Sequence, residues 1–142
     1  MLDFDLEAPG LENFFSQILD VETVARQPGL VDLFKLASEK SNVITFWKDY
    51  LIPIRLPRIK GKFHLLTAGS RSKDYFKNVR DLDFVEFYST KNGGSLIEDL
   101  RNQFKDNYDF ILIDSRTGLT EIGGICTVQL PDFIVLLFTA TN

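Results

Sequence analysis

The sequence predicts an α/β fold: a mostly parallel sheet with helices on both faces. Three observations carry that expectation. Short apolar runs at 62–67, 108–113 and 133–138 read as strands buried on both faces. Stretches of 3.6-residue apolar spacing separate them, as the crossovers of a parallel sheet require. Aspartates stand where strands end, at Asp3, Asp5 and Asp114, and the carboxyl ends of such strands are where ligands bind.

The elements follow in chain order. Residues 1–5 alternate apolar and acidic, and 6–10 supply a turn, so the chain opens on the last residues of a strand. Leu11, Phe14, Phe15, Ile18 and Leu19 have the spacing of a first short helix; Leu30 to Ala37, after Pro28 and Gly29, form a second. Val43 to Leu51, with Trp47, fit a third, stopped by the Pro53 to Pro57 segment. Arg55, Arg58, Lys60 and Lys62 then make a basic surface loop. The run from Lys62 to Thr67 is a buried strand closed by Ala68, Gly69 and Ser70. His64, inside it, has no cysteine or second histidine as partner and is read as structural. Leu96, Ile97, Leu100 and Phe104 mark a helix after Gly93 and Gly94. Tyr108 to Ile113 is a central strand stopping at Asp114, and Phe133 to Phe138 is another.

Composition bounds the function. A chain of 142 residues, 44% hydrophobic and 25% charged, with 13 Phe, suits one globular domain and excludes disordered, collagen-like and coiled-coil classes. The longest apolar run, 133–138, is far shorter than the roughly 20 residues of a membrane span, and no secretory leader is recognisable. One cysteine, Cys126, excludes a disulfide framework or multi-thiolate metal site and suits a reducing cytoplasm. A net charge of −4 gives no general attraction for nucleic acid or anionic lipid, although a local basic patch is compatible with it.

The acidic strand ends carry the chemistry. Carboxylates gathered there repel unless a cation lies between them, and Mg²⁺ held through one or two carboxylates and substrate phosphates is the usual solution. Asp5 alone reads equally as a turn cap. Asp114 is more specific, because Gly118 follows it at a spacing where a glycine amide can approach a phosphate.

Three segments, Asp3–Gly10 (DFDLEAPG), Tyr108–Gly118 (YDFILIDSRTG) and Gly124–Asp132 (GICTVQLPD), together resemble the ParA/MinD-like (SIMIBI) class of P-loop ATPases. The subgroup with a DLEAPG switch I loop is the closest. The resemblance spans essentially all of residues 1–142, from switch I to the strand after Walker B. It implies a P-loop NTPase sheet, ATP and Mg²⁺ as ligands, and a nucleotide-dependent homodimer with a protein partner it does not identify. By position, Asp114 resembles the Walker B aspartate at the metal and Gly118 the switch II glycine. Asp5 resembles the catalytic switch I aspartate that orients the attacking water. Asp3 would support the metal shell, and Arg116 would touch a phosphate or a dimer partner.

The departure from that family is the phosphate loop. No Gly-Lys-Ser/Thr loop occurs anywhere in the chain. The expectation is a fold incomplete at both ends, about 30 residues short upstream of Met1, and inactive by itself as an ATPase. Two rivals remain: a degenerate interaction module, and a dehalogenase-type phosphatase with Asp3 as nucleophile and Asp5 as its acid/base partner.

Overall fold

The computed structural model describes residues 1–39, 44–58, 60–116 and 124–137. In chain order they form β1 (Leu2–Asp3), a 3₁₀ turn (Leu11–Phe15), α1 (Val21–Val24), α2 (Leu30–Glu39), a second 3₁₀ segment (Ile44–Tyr50), β2 (Ile52–Pro53) and β3 (His64–Leu65). After these come α3 (Tyr75–Arg80), α4 (Phe84–Thr90), α5 (Gly93–Asn107), β4 (Ile113–Asp114) and a π-helical turn (Ile125–Gln129).

The expected parallel sheet covered by helices is not what forms. Helix dominates, and the described strands make two separate two-stranded sheets, β1–β4 parallel and β2–β3 antiparallel. A single parallel bridge, Leu2 to Leu66, links them. The physical reason lies in the apolar runs. A continuous apolar segment is a buried strand only when neighbouring strands take its backbone and layers cover both faces. The 108–113 run joins a ladder only at Ile113, and Phe110 is 87% exposed. Residues 133–137 of the last predicted strand lie in no strand, and Phe133 and Leu137 are 91% and 92% exposed; Phe138 lies outside the described residues.

Most of the core is built by helices. Phe34 on α2 meets Phe4 at 6.0 Å and Phe84 and Phe87 on α4 at 5.8 and 5.9 Å, tilted or edge-on as ring quadrupoles prefer. Ile97, Leu100 and Phe104 line the buried stripe of α5, with Phe104 edge-on to Trp47 at 4.8 Å. The Trp47 indole N–H reaches Gln103 Oε1 at 2.8 Å, so the buried ring keeps a partner for its one donor. A Cβ on Gly93 would collide with the Phe87 ring, so this glycine permits close approach of α4 and α5. A satellite cluster of Leu11, Ile54 and Leu65 sits beneath the β2–β3 hairpin.

Several local expectations also change. The 11–19 segment is a 3₁₀ turn followed by irregular backbone, and Phe14, at an apolar position of the expected helix, is 83% exposed. The expected helix at Val43 is the 3₁₀ segment from Ile44. Helices α3 and α4 occupy a region to which the sequence analysis assigns no element. The signal for α4 was present: Asp83 caps it by accepting the Glu86 N–H at 2.8 Å, an Asp-x-x-Glu start with Phe84 and Phe87 one turn apart.

Candidate functional site

The site grows from one register. β1 and β4 run parallel with Asp3 opposite Asp114, and the Phe4 N–H donates to the Asp114 carbonyl at 2.8 Å. Both aspartates therefore end their strands at the same edge of the ladder, where the 4–11 loop begins.

Their side chains do different things because adjacent strand residues share an edge but not an environment. Asp3 is completely buried. Its Oδ2 accepts the N–H groups of Gly10 and Leu11, both at 3.1 Å, and its Oδ1 accepts the Asp5 N–H at 3.3 Å. The carboxylate thus winds the loop around itself. Burial raises its pKa above the ordinary carboxylate value; the amides of Leu11 and Gly10 oppose that, and the charges of Glu12 and Asp114 add to it. With both oxygens engaged and no solvent access, Asp3 is a positioning residue for the loop and is not placed to be a nucleophile.

Asp5 is half-buried and its Oδ1 accepts the Ala8 N–H, three residues on, at 3.1 Å, a capping contact that closes the turn. Asp114 is exposed. Arg116 forms an ion pair with Glu7, which ties the β4 exit to the tip of the loop. Gly118 lies outside the described residues. The structure therefore brings Asp3, Asp5, Asp114 and Arg116 to one end of the β1–β4 ladder.

Four supporting residues escaped the sequence reading. Glu12, fully buried, forms an ion pair with Arg71 and leaves its Oε2 without a hydrogen-bond partner. The Tyr75 hydroxyl donates to the Leu6 carbonyl at 2.8 Å, and burial holds its pKa well above the usual phenol value. Asp32 Oδ2 accepts the Gly29 and Ser70 N–H groups at 2.9 and 3.0 Å, joining the start of α2 to the segment after β3. Nothing in the local sequence around Glu12 or Arg71 announces their pairing, which spans 59 positions.

Chemically, Asp114 and Asp5 are the carboxylates left to face a ligand. One or two carboxylates suit Mg²⁺, which keeps most of its water and takes its remaining oxygens from a phosphate. They do not suit a fully protein-ligated cation, and no cluster of three or more His, Cys, Asp or Glu side chains able to hold a metal occurs among the described residues. A triphosphate would find no Gly-Lys-Ser/Thr cradle in this chain.

No protein-family profile, curated protein or solved structure matches the chain. No helix among the described residues is long and apolar enough to cross a membrane.

Proposed function

We propose that this chain carries the metal and water-positioning side of a nucleotide-dependent switch of the ParA/MinD type, with Mg·ATP as its ligand. The observation that carries the reading is the Asp3–Asp114 register, which sets an exposed carboxylate beside the Asp5 loop at the ends of two parallel strands. The DFDLEAPG and FILIDSRTG segments support it through their resemblance to switch I and Walker B. In this reading Asp114 anchors Mg²⁺ through its water shell and Asp5 orients the attacking water. The Arg116–Glu7 contact couples phosphate occupancy to the loop, and nucleotide-driven pairing of two copies in the cytoplasm follows. The proposal concerns these residues and does not extend to the covered parallel sheet, which the described residues lack.

Without a phosphate loop, affinity for Mg·ATP is on the order of 1 mM, because most of the anion-binding amides and their lysine are missing. At about 10 mM Mg·ATP, binding to the folded state alone then stabilises by about 1.4 kcal/mol, a rise in Tm of roughly 5 °C. The shift should require Mg²⁺ and disappear in Asp114→Ala. No Mg²⁺-dependent shift, or an equal shift in the variant, refutes the reading.

A second reading rests on a separate observation. Phe110, Leu112 and residues 133–137 expose an apolar surface unusual for a chain that acts alone, and this favours an interaction module without catalysis. Monodisperse monomer at high concentration would remove its basis.

A further inference from the structure

The segment between Asp49 and Asp74 contains no acidic residue, and four cations, Arg55, Arg58, Lys60 and Lys62, fall in the turn that joins β2 to β3. The Ile54 N–H donates to the Phe63 carbonyl at 2.8 Å and closes the hairpin immediately before the first and after the last of them. All four are exposed. Ion pairs among the described residues use Arg26, Arg71, Lys91, Arg101, Lys105 and Arg116, and none of these four.

The turn is also set apart in space. β3 follows β1 in parallel through the Leu2–Leu66 bridge, so the turn preceding β3 lies at the end of the strands opposite Asp5 and Asp114. With the whole chain at net −4, the surface outside this turn is more negative still. Clustered like charges destabilise a fold by self-repulsion. Here they contribute no ion pair to packing in return, so their natural role is to meet an external anion.

We propose that the β2–β3 turn is a docking site for an acidic peptide segment of a partner protein. A short run of Asp and Glu matches four cations on a narrow turn and ends before it reaches the negative remainder of the surface. A nucleic-acid duplex would continue onto that surface and be repelled. The described residues of the turn present no exposed aromatic ring for base stacking and no exposed large apolar side chain to enter a bilayer.

The test is fluorescence anisotropy of a labelled Asp/Glu-rich peptide against the intact chain, beside a labelled DNA duplex and phosphatidylserine vesicles. The peptide should bind, and rising salt should weaken binding, as exposed charge pairs are screened. The Arg55→Gln/Arg58→Gln/Lys60→Gln/Lys62→Gln variant should lose about tenfold or more, the sum of four modest surface pairs, with Tm unchanged or raised. The charge-retaining Arg55→Lys/Arg58→Lys variant should keep binding. No binding by the natural chain, equal binding by the neutralised variant, a lowered Tm in that variant, or tighter binding of duplex or vesicles overturns the proposal.

Discussion

Replacing Asp3 separates its two conceivable jobs, ligand for a site and clamp for a loop. In Asp3→Ala the N–H groups of Gly10 and Leu11 lose the only acceptor they have among the described residues, and the Leu11 bond is buried. A buried donor left unsatisfied costs about 1–3 kcal/mol, so the pair together costs roughly 2–4 kcal/mol, and Tm falls by roughly 10 °C. Asp3→Asn behaves differently. Its amide oxygen can still accept from Gly10 and Leu11, while its NH₂ faces the Asp5 N–H and loses that weaker bond, so the net change stays within about 1 kcal/mol. The pH dependence supplies a second signature. Because Asp3 has a raised pKa in the folded chain, its contribution is fully present below the unfolded value of 3.8 and is lost as pH rises through the folded pKa. Asp3→Asn therefore compares best with the natural chain at neutral pH and loses ground as the solution is acidified. Urea unfolding followed by circular dichroism at neutral and acidic pH measures both effects. Equal losses in the two variants, or a loss below about 0.5 kcal/mol for Asp3→Ala, would refute the clamp.

Burial pushes the Cys126 thiol up to about 12, so a thiol reagent at pH 8 should label the native chain slowly and the urea-unfolded chain at once; rapid native labelling contradicts the buried placement. His64, bonded to the Tyr108 hydroxyl at 2.7 Å, has its pKa lowered by burial first and by Lys62 and the chain's amino terminus next. Its contribution is therefore present above the ordinary histidine value of 6.5 and lost as pH falls through the lower folded value, so His64→Gln should flatten the stability profile below pH 6.5; an imidazole NMR titration above 6.5 would contradict this. The exposed 133–137 segment and Phe110 should make the chain self-associate, and Phe133→Lys/Leu136→Lys should raise the monomer fraction in analytical ultracentrifugation; a natural chain that stays monomeric removes the point.

What could be read from the sequence depended on how local the deciding force was. α5 was legible because Ile97, Leu100 and Phe104 all face the core of one helix, and 3.6-residue spacing encodes that directly. The end of β4 at Asp114 was legible because the apolar run stops there. The 133–138 run was misread because an apolar segment states only that it avoids water; whether a neighbouring strand exists to receive it is decided elsewhere in the chain. The 11–19 segment failed for a related reason. Its loop is wound on Asp3 and fixed by Glu12 and Arg71, and that tertiary anchoring selects a tighter turn than the spacing of Phe14 and Ile18 implies. Asp3, Asp5 and Asp114 were expected at strand ends and lie at one end of the β1–β4 ladder, with Arg116 beside them, yet the division of labour among them was invisible, since burial of Asp3 and exposure of Asp114 are properties of the ladder's surroundings.

That division bears on how such a site could switch. A loop held only by Asp5 and the exposed Arg116–Glu7 pair would fray, because surface ion pairs contribute about 0–1 kcal/mol. A loop held only by buried groups would not respond to a ligand at all. Here the 4–12 segment has both kinds of contact. Its root is fixed by Asp3, by the Tyr75 hydroxyl on the Leu6 carbonyl and by the Glu12–Arg71 pair, each lost only with local unfolding. Its tip, Glu7 and Ala8, is exposed and held by Arg116 and Asp5, contacts weak enough for an anion at the strand ends to compete for Arg116. If a ligand binds at the strand ends as proposed, the small free energy of the tip contacts lets it move the tip, while the buried root confines the movement to those few residues.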